Sequence, residues 1–356
     1  MKKHKLSNTK TIVFFLIMFS FSSSELIVID GTKDHSWNEF KRAYKKNYTR
    51  EDERVRKPIW EKALAAIMKH NEDHASGVHS FNLGLNDFSD MSDEDFMNMA
   101  MGLEDKMECD NKSLLYSPPK NASIPESIDW NKRGYVTKVV NQGRCGACWA
   151  FCSTAALEGQ HKRMTGKLVK LSEQHLIDCS TVTGNKQCRG GRMCRAYEYA
   201  AAVGGVLADK YYPYENKGGK CKFNSKHIGA KIKGYIEIPY GDEHALLMAV
   251  ALIGPVAVGL DGYRPRFRHY KSGIYEDPGC SNTTLTHALT IVGYGTENGK
   301  DYWLVKNSWG PHWGEGGFGK IVRNKNNHCG LASRAVFPVM TEDENGDPVL
   351  RGPRAQ

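Results

Sequence analysis

At 356 residues, with 40% hydrophobic and 25% charged residues, the chain has a globular composition and is long enough for two or three compact units. Its formal net charge of +9 would permit contact with polyanions, but lysine and arginine are scattered and no stacking-aromatic pattern accompanies them, which argues against a nucleic-acid function. The longest apolar run, Ile12 to Phe21, is about half of the ~20 residues that a membrane span requires.

In chain order, Lys2, Lys3, Lys5 and Lys10 precede that run and Ser22-Ser23-Ser24 follows it, which reads as a secretory signal peptide (1–24) cleaved after Ser24. Passage through the secretory pathway permits disulfides among the ten cysteines. From Ser36 to Asn71 the pattern predicts two charged amphipathic helices, with Trp37, Phe40 and Tyr44 at spacings of three and four on the first. Between Glu104 and Ser123 the chain is polar and broken by Pro118-Pro119, as an exposed linker would be. Sequons at Asn47, Asn111, Asn121 and Asn282 are candidate glycan sites.

The central feature is Asn141-Gln142-Gly143-Arg144-Cys145-Gly146-Ala147-Cys148-Trp149-Ala150. Cys148 opens a run of helix formers that ends at Thr165-Gly166, and a helix N-terminus stabilises negative charge on sulfur. Leu171 to Asp178 predicts a short helix with a Ser cap, and Ala196 to Ala202 another. From Lys231 onward Gly-punctuated strands dominate: Gly234–Ile238, Pro255–Leu260, Leu289–Tyr294, Tyr302–Lys306 and Phe318–Val322. His287 lies at the start of one apolar run, and Asn307-Ser308-Trp309-Gly310 follows another, so a thiolate, its base and an orienting amide are all present. Singly, each has a plainer reading: a core histidine, a turn, and a Cys-x-x-Cys that is redox-active or half a zinc site. No second Cys-x-x-Cys or paired His motif supports the metal reading. Residues 341–356, rich in Gly, Pro and charge, are expected to form a disordered tail.

Cys145-Gly146-Ala147-Cys148-Trp149, with His287 and Asn307 far downstream, resembles the papain-like cysteine proteases, and within them the cathepsin L-like branch. Upstream, Asp52, Arg56, Ile59, Trp60, Ala63, Ile67 and Asn71 fall at the spacing of the prosegment motif ERFNIN, with Asp52 for Glu and Ala63 for Asn. Gly84-Leu85-Asn86-Asp87-Phe88-Ser89-Asp90 matches its companion G-x-N-x-F-x-D. The resemblance implies an α+β fold with a helical left lobe and a β-barrel right lobe. It also implies an inhibitory propeptide (25–121), a mature catalytic domain (122–340) starting near Ile124-Pro125-Glu126, and the tail.

It further implies roles. Cys148 would attack the peptide carbonyl, His287 protonate the leaving amine, Asn307 hold the ring, and Gln142 with the Cys148 N–H form the oxyanion hole. Trp309 would shield the Asn307–His287 hydrogen bond. Gly190 and Gly191 match the strand that hydrogen-bonds an extended peptide, Met193, Gly259, Leu285 and Arg334 the S2 pocket, and Trp313 the leaving-group side. Arg334 departs from the small residue usual there; its guanidinium could point inward or snorkel to water. Thr286 also departs from the family pattern, and its backbone carbonyl would bind substrate. Cys145 would pair with Cys188, Cys179 with Cys221 and Cys280 with Cys329, while Cys152 reads as a small buried residue. Cys109 and Cys194 have no partner in the family pattern and could join each other or another chain. The implied protein is a monomeric, cofactor-free endopeptidase zymogen, lysosomal or secreted, acting on proteins and peptides and inhibited by its own propeptide and by cystatin-like proteins. The competing class is a proprotein without catalysis, acting as a binding or inhibitory protein.

Overall fold

The computed structural model describes residues 33–104, Cys109 and residues 114–340; the signal peptide and the tail expected from the sequence lie outside them. The chain divides into two compact units at Asn47. In the first, α1 (Lys33–Ala43) carries Trp37 and Phe40 on one face, their rings stacked 5.5 Å apart.

The second unit begins with α2 (Arg50–Ala75), which Thr49 and Asp52 open as a reciprocal capping box: Asp52 N–H donates to Thr49 Oγ1, and Thr49 N–H to the Asp52 carboxylate. Asp52, a departure from ERFNIN, is thus the N3 partner of the Thr49 cap. Asn71 pins the strand β1 (Phe81–Leu83) to this helix by donating to the Leu83 carbonyl at 2.9 Å and accepting from Leu83 N–H at 2.8 Å. The second motif makes the turn that follows. Asn86 donates to the Arg268 carbonyl at 2.7 Å, Tyr48 donates its hydroxyl to buried Asp90, and Phe88 packs edge-on against Trp309 and Phe96. Ser92 caps α3 (Asp93–Ala100). The stretch expected as an exposed linker is partly fixed, because β2 (Leu114–Leu115) is followed by Tyr116, buried edge-on against Phe337.

After β3 (Ile128–Asp129), the helical half holds α4 (Cys148–Thr165), α5 (Glu173–Cys179) and α6 (Met193–Val203). Helix α4 starts at Cys148 and stops at Gly166 in the left-handed region, φ 75°, as its sequence predicts. It is buried over its first thirteen residues, so it forms the centre of this half. Ser172 caps α5 through the His175 N–H. A short antiparallel pair, β4 (Val206–Leu207) with β5 (Ile228–Ala230), closes the half.

The strand-rich half comprises β6 (Gly234–Glu237), α7 (Glu243–Leu252), β7 (Val256–Leu260), α8 (Pro265–Arg268), β8 (Tyr270–Tyr275), β9 (His287–Glu297), β10 (Lys300–Lys306), β11 (Phe318–Val322) and β12 (Ala335–Val339). Its strands lie in the order β8-β11-β10-β9-β7-β12-β6, with β3 also on β9. Segments that precede the catalytic motif occupy both ends of this sheet: β1 pairs antiparallel with β8, and β2 pairs parallel with β6. No helix among the described residues is long and apolar enough to cross a membrane.

Candidate active site

The N-terminus of α4 and the start of β9 bring Cys148 and His287 to one cleft. Backbone groups of Ala288, the residue after His287, and of Gly102 lie on the Cys148 thiol. His287 Nε2 is 2.8 Å from Asn307 Oδ1, which also accepts the Ser308 N–H at 2.8 Å. An oxygen that accepts from both partners fixes the proton on Nε2. His287 Nδ1 is therefore the basic nitrogen, and it is buried without a hydrogen-bond partner. Trp309 lies over this pair, its ring 4.4 Å from that of His287.

Gln142 is held for donation. Its N–H binds the Ser308 carbonyl at 2.8 Å, and the Ser308 hydroxyl donates to its Oε1 at 2.7 Å, so Nε2 must face the other way. There it donates to the Cys145 carbonyl at 2.9 Å and to the Ala100 carbonyl at 3.1 Å. Ala100 ends α3, upstream of the catalytic motif, and its carbonyl also bears on His287.

From Ala100 the chain runs through the cleft. Gly102 passes so close to the α4 approach that a Cβ there would sit 2.0 Å from the Gly146 carbonyl oxygen. Leu103 pairs in parallel with Gly191: Gly191 N–H donates to the Gly102 carbonyl at 3.0 Å, and Glu104 N–H to the Gly191 carbonyl at 3.1 Å. Leu103 N–H donates to the Thr286 carbonyl at 3.3 Å, while the Thr286 hydroxyl accepts from Gly262 and Tyr263 N–H. Gly191 must lack a Cβ, which would fall 2.7 Å from the Trp149 ring. Gly190 beside it has φ 117°.

The Leu103 side chain enters a pocket whose walls include Gly259, Leu285 and Arg334. A Cβ on Gly259 would lie 2.8 Å from Leu103 Cδ2, 3.0 Å from Leu285 Cδ1 and 3.4 Å from Arg334 Cβ. The Arg334 guanidinium lies 5.8 Å over the exposed Tyr240 ring and donates to the Ser333 carbonyl. Met193, at the start of α6, is buried in the core cluster against which Leu103 packs. On the other side of the cleft, Trp313 is fully buried against Trp309, Phe267 and Tyr270, and Phe88 and Phe96 cover Trp309. Sequence reasoning missed this covering segment beyond its motifs, because Ala100 to Glu104 act mainly through backbone atoms.

Covering the cleft changes its electrostatics. Burial pushes the Cys148 thiol up to about 12, against the pull of the backbone groups around it. Burial also pulls His287 down to about 4, although the Asn307 hydrogen bond and the Ala100 carbonyl oppose it. Both groups are therefore neutral in the covered state, and the thiolate–imidazolium pair is disfavoured. The three expected disulfides are present, Cys145–Cys188, Cys179–Cys221 and Cys280–Cys329, together with Cys109–Cys194. Cys152 is buried and its thiol donates to the Trp149 carbonyl.

A buried Cys–His–Asn set under an N-terminal segment of the same chain defines a cysteine protease zymogen. The chain belongs to the papain family of cysteine proteases, which residues 124–339 match, and residues 37–96 match the cathepsin propeptide inhibitor domain. It is 44% identical to cathepsin S of Mus musculus, over 92% of this chain and 96% of that protein. With a cathepsin L-like peptidase of Aedes aegypti it shares 42% identity, over 92% of this chain and 99% of the relative. The digestive procathepsin L2 proteinase of Tenebrio molitor larval midgut superposes with a TM-score of 0.82 at 40% identity, covering 86% of this chain and 99% of the other. The chain thus has the papain-like α+β fold preceded by a helical propeptide, and it is a cysteine peptidase zymogen that acts on protein substrates and is inhibited by its propeptide.

Proposed function

We propose that the cleft works through Cys148 as nucleophile, His287 as its proton partner and Asn307 as the group that orients the ring. When the segment over the cleft leaves, water reaches Cys148 and His287, and the thiolate–imidazolium pair becomes accessible. The thiolate attacks the substrate carbonyl, and its oxygen takes the place of the Ala100 carbonyl, between Gln142 Nε2 and the Cys148 N–H. His287 gives its proton to the leaving amine, and water, deprotonated by the neutral imidazole, cleaves the thioester. The observation that carries this reading is the 3.1 Å hydrogen bond from Gln142 to a main-chain carbonyl of the covering segment. Gly190, Gly191 and the Thr286 carbonyl would bind substrate backbone; Gly259, Leu285, Met193 and Arg334 would take the P2 side chain, and Trp313 would support the leaving-group side.

The processing cut is placed near Asn121, dividing a propeptide (25–121) from a mature domain (122–340), with the signal peptide removed after Ser24. We place the enzyme in the secretory pathway, lysosomal or secreted, as a monomer open to cystatin-like inhibitors. Labelling the processed protein with an epoxide thiol inhibitor tests the assignment: the label belongs on Cys148, and Cys148→Ala abolishes both label and hydrolysis. Hydrolysis by the Cys148→Ala chain would refute it.

A further inference from the structure

Of the four disulfides, Cys109–Cys194 alone joins a residue before the proposed cut to one after it. Cys194 is buried in the first turn of α6, just after the Gly190–Gly191 strand; Cys109 is half-buried, with its Cα 5.9 Å from that of Cys194. The bond stands between two weaker attachments of the same segment. On one side Leu103 and Glu104 pair with Gly191, and Glu104 meets Lys186 at 3.2 Å. On the other, β2 adds to β6, and Tyr116 is buried against Phe337 with its N–H on the Glu237 carbonyl at 2.8 Å. Cutting near Asn121 breaks none of these three.

We propose that the Cys109–Cys194 disulfide is a redox latch: after the cut near Asn121 it keeps the propeptide on the catalytic domain, and the cleft opens fully only when a small thiol reductant opens the bond. The inference rests on the zymogen reading and on the position of the cut. A tethered segment meets its site at an effective concentration in the millimolar range, so dilution does not remove it.

The chemistry is thiol–disulfide exchange. A reductant thiolate attacks Sγ of Cys109, the more accessible sulfur; the S–S bond breaks, and its electron pair leaves on Cys194 Sγ, which then takes a proton. The first turn of the eleven-residue α6 stabilises that leaving thiolate. A second reductant thiol resolves the mixed disulfide on Cys109, giving two protein thiols and one oxidised reductant pair.

The test compares the full chain with a Cys109→Ser/Cys194→Ser chain, both processed in acid without reductant. On a non-reducing gel the propeptide fragment should stay with the wild-type catalytic domain and separate once a phosphine is added; in the double variant it should separate at once. In reductant-free buffer, peptide hydrolysis by the cut wild type should be at least about tenfold below that of the variant, which shares its exposure of Cys148 to oxidation, and reductant should bring the two within about twofold. Free fragment from wild type without reductant, or equal activities before reduction, would overturn the latch. Should both chains stay inactive when cut and reduced, the protease reading fails, while the gel still decides the tether. A wild-type chain locked with Cys148→Ala and cut in trans gives the same gel readout if the double variant misfolds.

Discussion

The Gln142 side-chain amide and the Ala100 carbonyl are joined by a 3.1 Å hydrogen bond, so the segment over the cleft occupies the position where, in the mechanism we propose, charge develops on the substrate. That donor is aimed by the Ser308 hydroxyl on Gln142 Oε1. Ser308→Ala removes one net hydrogen bond, worth about 1 kcal/mol, and lets the amide turn. The expected result is a fall in kcat of about fivefold with KM for peptide substrates nearly unchanged, measured on the processed enzyme. A change confined to KM would show that Ser308 does not position the amide.

Leu103 occupies the pocket beside Gly259 and Leu285 that we propose takes the P2 side chain. Truncation to Ala in this half-buried setting removes apolar contact worth about 1 kcal/mol, roughly a fivefold loosening of the segment. Leu103→Ala should therefore speed acid processing of the full chain severalfold without altering the mature enzyme. An unchanged processing rate would place the inhibitory contact elsewhere.

With its guanidinium over Tyr240, Arg334 lends the pocket its aliphatic stem and turns its charge outward. The pocket should then prefer Leu over Glu at P2, and Arg334→Ala should raise the Phe-to-Leu ratio of kcat/KM about threefold or more, since space for a methylene or two is worth about 1 kcal/mol. No change in that ratio would show that Arg334 does not bound the pocket.

Much of this site was legible in the sequence because its chemistry is local. Cys148 opens a helix that Gly166 ends, and the His287 and Asn307 motifs sit on strand ends where the fold joins them. The prosegment motifs were legible too, and Asn71, Asn86 and Asp90 each hold a backbone or hydroxyl group. Helix α7 was not, since Ala245–Leu246 and Met248–Ala251 are buried around its whole circumference and leave no amphipathic period among the strands. Strands β1 and β2 are three and two residues long and exist only by adding to an edge already formed. The Cys109–Cys194 pair spans 85 residues, and only the folded cleft brings its halves together.

A fall in pH should loosen the prosegment, with a sign that its buried groups set. Prosegment carboxylates are paired, as in Asp93 with Arg268 at 2.9 Å, and hydrogen bonds from Thr49 and Lys69 hold Asp52 and Asp73 below their ordinary values; His70, buried in the same segment, is shifted too. Burial, with His79 stacked 4.2 Å away and His74 and Arg266 nearby, holds His70 below its ordinary value, against the Phe81 carbonyl it binds at 3.0 Å. Asp73 is the acidic neighbour. A histidine depressed in the folded state contributes stability that is whole above pH 6.5 and is lost as pH falls from there toward the depressed value. His70→Gln can keep the bond to Phe81 without charging, so the onset of self-processing should move down by roughly half a pH unit. An unmoved onset would assign the switch to other groups.

The most direct measurement is the rate of Cys148 alkylation by a small neutral reagent between pH 4 and 9, on the zymogen and on the processed, fully reduced enzyme. If residues 100–104 hold Cys148 and His287 neutral, the processed enzyme should react rapidly across the acidic and neutral range, and the zymogen at least about a hundredfold more slowly throughout. Equal rates, with the same dependence on pH, would mean that the segment over the cleft does not control the thiol.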